Sequence, residues 1–137
     1  MIETLDSIDL AEELNRRCEE QGKIMPVLVE INSAEEEQKF GVFPEDAEYF
    51  IKKVSTLPFV KIMGFMTMGP FSENPEDSRP YFKKTKQLFD RFQKIELANV
   101  QMRYLSMGMS VSYKVALEEG ANIVRIGTLI FGERSNG

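Results

Sequence analysis

Apolar positions along this chain alternate between two spacings, and the alternation predicts strands separated by helices. Ile2 to Leu5 is a short strand-like run. Leu10, Ala11, Leu14 and Cys18 then recur at helical spacing up to Gly22, a residue suited to the left-handed position that closes a helix. Met25 to Ile31 (M-P-V-L-V-E-I) is almost wholly apolar, as in a strand of a parallel sheet covered on both faces. Pro44 opens a helix with Ala47, Phe50, Ile51 and Val54 on one face and Pro58 beyond its end. Val60 to Met68 predicts another strand, and Ser72 to Ser78 (S-E-N-P-E-D-S) is a loop of linker character. Pro80 opens a long helix whose apolar face carries Tyr81, Phe82, Leu88, Phe89, Phe92 and Ile95; Lys83, Lys84, Lys86, Arg91 and Lys94 form a solvated face opposite. Arg103 to Met107 predicts a strand, Ser110 to Glu119 a helix stopped by Gly120, and Ile123 to Ile126 a last strand.

This order, with no repeat or break in composition, predicts one α/β domain over residues 1–137 built on a parallel sheet. Strand–helix units of about 27 residues leave room for five, whereas a complete eight-unit barrel needs roughly 250 residues. The candidates are a five-stranded doubly wound sheet and the last five units of a (β/α)8 TIM-type barrel. A doubly wound nucleotide fold carries its glycine-rich phosphate loop after the first strand, but Leu5-Asp6-Ser7 has no glycine. The small-residue turns lie at the other end of the chain, which favours the partial barrel.

Charge and composition narrow the function. A net charge of −5 disfavours nucleic acid and anionic membranes as partners. There is no apolar run long enough to span a bilayer, nor a basic region followed by a hydrophobic stretch at the N-terminus, so a cytoplasmic protein is expected. The single cysteine, Cys18, falls on an apolar helix face and is expected to be a buried structural thiol. Histidine is absent, which removes histidine-based triads, imidazole zinc sites and histidine general bases.

Candidate chemistry concentrates in two segments. Tyr104-Leu105-Ser106-Met107-Gly108-Met109-Ser110 and Ile123-Val124-Arg125-Ile126-Gly127-Thr128 are apolar runs ending in small residues with free N–H groups and hydroxyls. Side by side, two such ends suit a phosphate, and barrels commonly hold phosphate after their last two strands. Arg125 adds a cation pointing the same way. More modest roles compete: tight turns for Gly108 and Gly127, an N-cap for Ser110, an ion pair between Arg125 and Glu30, and a loop lysine for Lys39. Thr67 can serve as a ligand-facing hydroxyl or a turn hydroxyl, and Met63, Met66, Met68, Met107 and Met109 as core filler.

Several stretches match one family in order: Ile2 to Ser7, Val29-Glu30-Ile31-Asn32 with Lys39-Phe40-Gly41, Gly64 to Met68, Arg79 to Phe82, Leu105 to Ser110, and Val124 to Gly132. On these the chain resembles the C-terminal portion of the pyridoxal phosphate homeostasis proteins, single-domain barrels related to the N-terminal domain of alanine racemase. The resemblance implies a non-catalytic protein that binds pyridoxal 5′-phosphate. Ser106, Met107, Gly108, Met109 and Ser110 would line the phosphate pocket, Gly127 and Thr128 would complete it, and Arg125 would face the pyridine nitrogen. A guanidinium there disfavours protonation of the ring and makes it a poorer electron sink. Ser112 stands where the family usually has Asp. The family's covalent lysine lies near the start of the barrel, on a strand this chain does not contain, so weak, non-covalent binding is expected. A racemase or decarboxylase of the same barrel type, and an inactive truncated barrel, are the alternatives. Open edges at the first and last strands predict a homo-oligomer.

Overall fold

A computed structural model describes residues 1–135. Its strands are β1 (Ile2–Leu5), β2 (Met25–Ile31), β3 (Val60–Thr67) and β4 (Val100–Met107). The helices are α1 (Ile8–Gln21), α2 (Ala47–Val54), α3 (Arg79–Gln93), α4 (Tyr113–Glu118) and the short α5 (Thr128–Phe131). The strands form one parallel sheet in the order β1-β2-β3-β4, with a helix in each connection.

Local chemistry sets the boundaries. The Ser7 hydroxyl accepts the Leu10 N–H at 3.2 Å and caps α1. Gly22, at φ +63°, ends it by donating back to the Cys18 and Glu19 carbonyls. The linker-like Ser72–Ser78 stretch contains a capped turn: the Asn74 side chain accepts from Glu76 N, and a 3-10 helix over Pro75–Ser78 leads into α3. Within the sheet, Gly64 has φ +148°, and a Cβ there would lie 1.7 Å from the Tyr104 carbonyl oxygen. Only glycine lets β3 and β4 approach this closely.

The main core lies between the sheet and its helices. Val27, Val29, Ile31, Phe65, Leu105 and Met107 point into it and meet the apolar faces of α2 and α3. Phe65 packs edge-to-face on Phe89 and Phe92, with ring centroids 6.3 and 5.8 Å apart. Cys18 is buried and free, as expected, while Leu10 is turned outward and 38% exposed. On the other face Leu28, Met63 and Met66 form a smaller cluster with half-buried Tyr104.

The C-terminal end departs from the expected five strands. Ile123 to Ile126 contributes a single bridge, Ser106 to Ile123, so the sheet has four strands. The Asn122 side chain spans the backbone of β4, accepting from Leu105 N at 2.8 Å and donating to the Arg103 carbonyl at 2.8 Å. Arg125 N then donates to the Gly108 carbonyl at 3.0 Å. The segment follows β4 but has no strand beyond it to extend the ladder. Helix α4 also begins at Tyr113 rather than Ser110: residues 110–112 form a turn in which the Ser112 and Tyr113 N–H groups donate to the Met109 carbonyl at 3.1 and 2.8 Å.

Candidate functional site

In a parallel sheet every strand ends on the same side, so Asp6, Ser33, Thr67, Gly108 and the segment from Arg125 to Thr128 gather at one rim. Register places Glu30, Met66 and Ser106 in one row, continued by Ile123. The alternation of side chains puts this row on the face away from the helices.

Arg125, on the segment that runs alongside β4, reaches past β4 to the end of β3. Its Nη2 donates to the Thr67 carbonyl at 2.9 Å, and Nη1 lies 3.3 Å from Met66 Sδ and 2.8 Å from Met68 Sδ. Its Nε is buried without a partner. Burial pushes the Arg125 pKa down, opposed by the Glu3 and Glu30 carboxylates. The considered ion pair with Glu30 does not form: a backbone carbonyl and two thioethers hold the guanidinium instead. Burial and the Asp6 carboxylate raise the Glu30 pKa, with Arg125 opposing.

The Thr67 hydroxyl is buried and engaged within the end of the sheet. Its Oγ1 donates to the Ile31 carbonyl at 2.8 Å and shares a hydrogen bond of 2.8 Å with Ser33 Oγ. This link between the ends of β2 and β3 fixes the carbonyl on which Arg125 rests. The seat formed by Met66, Thr67 and Met68 is not evident from the motifs. Its signal is the two-residue spacing that puts both methionines on one face of a strand.

The predicted phosphate residues separate into distinct environments. Ser106 is fully buried, and its Oγ has no hydrogen-bond partner. Met107 is also fully buried and belongs to the helix-side core, so only its backbone faces the rim. Gly108 sits at φ +92°, where a Cβ would lie 2.6 Å from that of Ala116. Met109 is 45% exposed. Ser110 Oγ accepts N–H groups from Leu129 at 3.1 Å and Gly127 at 3.4 Å, joining the two motif loops by capping α5. Gly127 and Thr128 are exposed at the start of that helix.

Arg79 braces this rim from behind. It pairs with Glu76 at 2.7 Å, Glu118 at 2.6 Å and Glu119 at 2.7 Å, tying the start of α3 to α4. Lys39 pairs with Glu36 at 2.6 Å, consistent with a loop lysine. A shallow depression of about 360 Å³ lies near the end of β1, lined by Asp6, Gly41 and Phe43 among others. A larger one, about 710 Å³, opens beside Val100 at the opposite end of the sheet. Neither contains the predicted phosphate residues. Among the described residues, no group of three acidic, Cys or His side chains is arranged to hold a metal.

The family model for the N-terminal domain of alanine racemase matches residues 1–135. The chain belongs to that family. In this alanine racemase N-terminal family the open parallel sheet and its helices are part of a TIM-type barrel. The chain is 48% identical over 134 residues to the pyridoxal phosphate homeostasis protein of Aquifex aeolicus, covering 98% of this chain and 58% of that one. A structure of an unknown protein from Bifidobacterium adolescentis superimposes with a TM-score of 0.89 at 37% identity, covering 95% of this chain and 52% of that one. PipY of Synechococcus elongatus, solved with PLP bound, superimposes with a TM-score of 0.80 at 28% identity, covering 93% of this chain and 58% of that one. The chain spans a little over half the length of the curated relatives from Aquifex and Helicobacter pylori.

Proposed function

We propose that this chain is the phosphate- and ring-binding part of a cytoplasmic, non-catalytic pyridoxal 5′-phosphate carrier that helps control the free level of the cofactor. The observation that carries the reading is the meeting of the two motif loops at the strand ends, where Ser110 Oγ gathers the Gly127 and Leu129 N–H groups. In this reading Ser106, the backbone of Met107, Gly108 and Met109, Ser110, Gly127 and Thr128 hold the phosphate. The unpartnered Ser106 Oγ and Arg125 Nε, both buried on this side, fit a polar ligand. Among the described residues, no helix is long and apolar enough to cross a membrane, which is compatible with the proposed compartment.

Bound pyridoxal phosphate supplies an electrophilic aldehyde and a ring able to take up electron density. Arg125, fixed by Thr67 and the two thioethers, would face the ring nitrogen and leave it unprotonated. That favours storage over carbanion chemistry and disfavours the racemase or decarboxylase alternative. The phosphate would take over N–H groups that the Ser110 hydroxyl now accepts. In this reading the family's covalent lysine lies outside this chain, so the cofactor binds here non-covalently. The isolated chain would self-associate through the edge of β1 and the Ile123–Phe131 end. The test is incubation with pyridoxal phosphate, borohydride reduction and peptide mapping. Reversible binding with no single labelled lysine is expected; a stoichiometric pyridoxyl group on Lys39 or any other one lysine overturns the non-covalent assignment.

A further inference from the structure

Of the three groups that hold the Arg125 guanidinium, one is open to solvent. Nη2 donates to the carbonyl of Thr67, a fully buried residue tied through its hydroxyl to Ser33 and the Ile31 carbonyl. Nη1 lies 3.3 Å from Met66 Sδ, and Met66 is 3% exposed. The third support is Met68 Sδ, 2.8 Å from Nη1, on a side chain that is 43% exposed. Since β3 ends at Thr67, Met68 lies just beyond the ladder, in the loop that follows. Of the eight methionines, Met1, Met68 and Met109 are the exposed ones. Among the described residues, only Met66 and Met68 set a sulfur against a charged side chain. Met68 alone combines access from solvent with contact to a cation.

We propose that Met68 is an oxidation site whose sulfoxide re-aims Arg125, so that the hold on pyridoxal phosphate responds to peroxide. The consequence for the cofactor rests on the reading above, in which Arg125 faces the ring nitrogen; the modification and the displacement of Arg125 do not. In the reaction a lone pair of Met68 Sδ attacks one oxygen of hydrogen peroxide, forming the S–O bond as the O–O bond breaks. The departing hydroxide takes the proton left on the new oxygen and becomes water. Sulfur gives up two electrons and the peroxide takes up the same two. A thioether is a weak acceptor, whereas a sulfoxide oxygen is a strong one for a guanidinium. At 2.8 Å from Nη1, the sulfur leaves no room for an oxygen between them. Thr67 and Met66 are packed in the interior, so the movement falls to Met68 and the guanidinium edge it holds. Nε has no partner to resist the tilt. Nη1 follows the new oxygen outward, and the cation leaves its place beside the ring. Enzymatic reduction of the sulfoxide restores the thioether, which makes the change reversible.

The test sets the chain beside its Met68→Leu variant, which keeps an apolar side chain and removes the sulfur. Both retain Met1 and Met109, so oxidation at those positions is common to the two. Each is treated with hydrogen peroxide, mapped by peptide mass spectrometry, and followed without ligand by NMR of the Arg125 side-chain N–H groups. Met68 is expected to gain one oxygen while Met66 gains none. The Arg125 resonances are expected to move in the chain, to return after treatment with methionine sulfoxide reductases, and to stay in place in Met68→Leu. Far-UV circular dichroism is expected to be the same before and after peroxide, which separates re-aiming from unfolding. Titration with pyridoxal phosphate is then expected to show about tenfold weaker binding after oxidation, the size of one lost hydrogen bond to a charged group, and no peroxide effect in Met68→Leu. Arg125 resonances unmoved by oxidation of Met68, an equal response in Met68→Leu, Met66 oxidised as fast as Met68, or an unchanged affinity would each overturn the proposal. A chain whose Arg125 responds as expected but which binds no pyridoxal phosphate before oxidation counts against the carrier reading, and leaves Met68 as an oxidation site that re-aims Arg125.

Discussion

The two motif glycines are expected to respond very unequally to the same substitution. In Gly108→Ala the new Cβ would stand 2.6 Å from the Ala116 Cβ and 3.0 Å from the Tyr113 Cα, on a backbone at φ +92°. The left-handed conformation costs a non-glycine residue about 1–3 kcal/mol. Overpacking adds about 1–3 kcal/mol, because Ala116 is fully buried and has nowhere to move. Together these remove about 2–6 kcal/mol from a domain whose total stability is of order 5–15 kcal/mol. In Gly127→Ala nothing lies within 4 Å of the new methyl. With φ at −126°, the change should stay within about 0.5 kcal/mol. Urea unfolding followed by circular dichroism separates them: at a slope of about 2 kcal/mol/M, Gly108→Ala lowers the midpoint by about 1–3 M and Gly127→Ala hardly moves it. Equal midpoints for the two variants would refute the reasoning.

Further outcomes follow from the buried polar groups. Thr67→Val keeps the shape of the side chain but strands the Ser33 hydroxyl and the Ile31 carbonyl, each now 2.8 Å from Thr67 Oγ1. It should cost about 1–3 kcal/mol by thermal or urea unfolding, and a neutral effect would show that this link between β2 and β3 is unimportant. Glu30 holds its proton to higher pH in the folded chain than in the unfolded one. Its contribution is therefore fully present below the unfolded pKa and is lost as pH rises through the folded value. Urea midpoints measured from about pH 4 upward should show this decline, and Glu30→Gln should flatten it; an unchanged slope in the variant would remove Glu30 as its source. Arg79→Met breaks two ion pairs from the start of α3 to Glu118 and Glu119 at the end of α4, and a local one to Glu76, and the variant should unfold earlier by an amount that shrinks as salt is added.

Much of the fold was legible because long amphipathic segments dominate it. The apolar run from Met25 to Ile31 and the glycine after α1 gave boundaries close to those observed. Ile123 to Ile126 misled because an apolar β-branched run says nothing about whether a neighbouring strand exists to pair with it. Ser110 is read from the sequence as a phosphate-pocket residue, with an N-cap of its own following helix as the competing role; its hydroxyl instead caps α5 across the rim. Such a contact joins residues 19 apart in sequence and depends on tertiary placement. Arg125 was recognised as a cation of the site, but its resting place on the Thr67 carbonyl joins elements 58 residues apart. Glu30 was the more obvious partner from charge alone. Local patterns carried the strands and helices, whereas the polar contacts across the rim emerged only with the parallel sheet.

The phosphate site itself is tested most directly by titrating isotopically labelled chain with pyridoxal 5′-phosphate and with unphosphorylated pyridoxal, following backbone amides by NMR. Saturable shifts at Gly108, Ser110, Gly127 and Thr128 are expected with the phosphorylated ligand and are expected to be much weaker with pyridoxal. No saturable response at these amides, or shifts confined to the depression lined by Asp6, Gly41 and Phe43, would contradict the assignment.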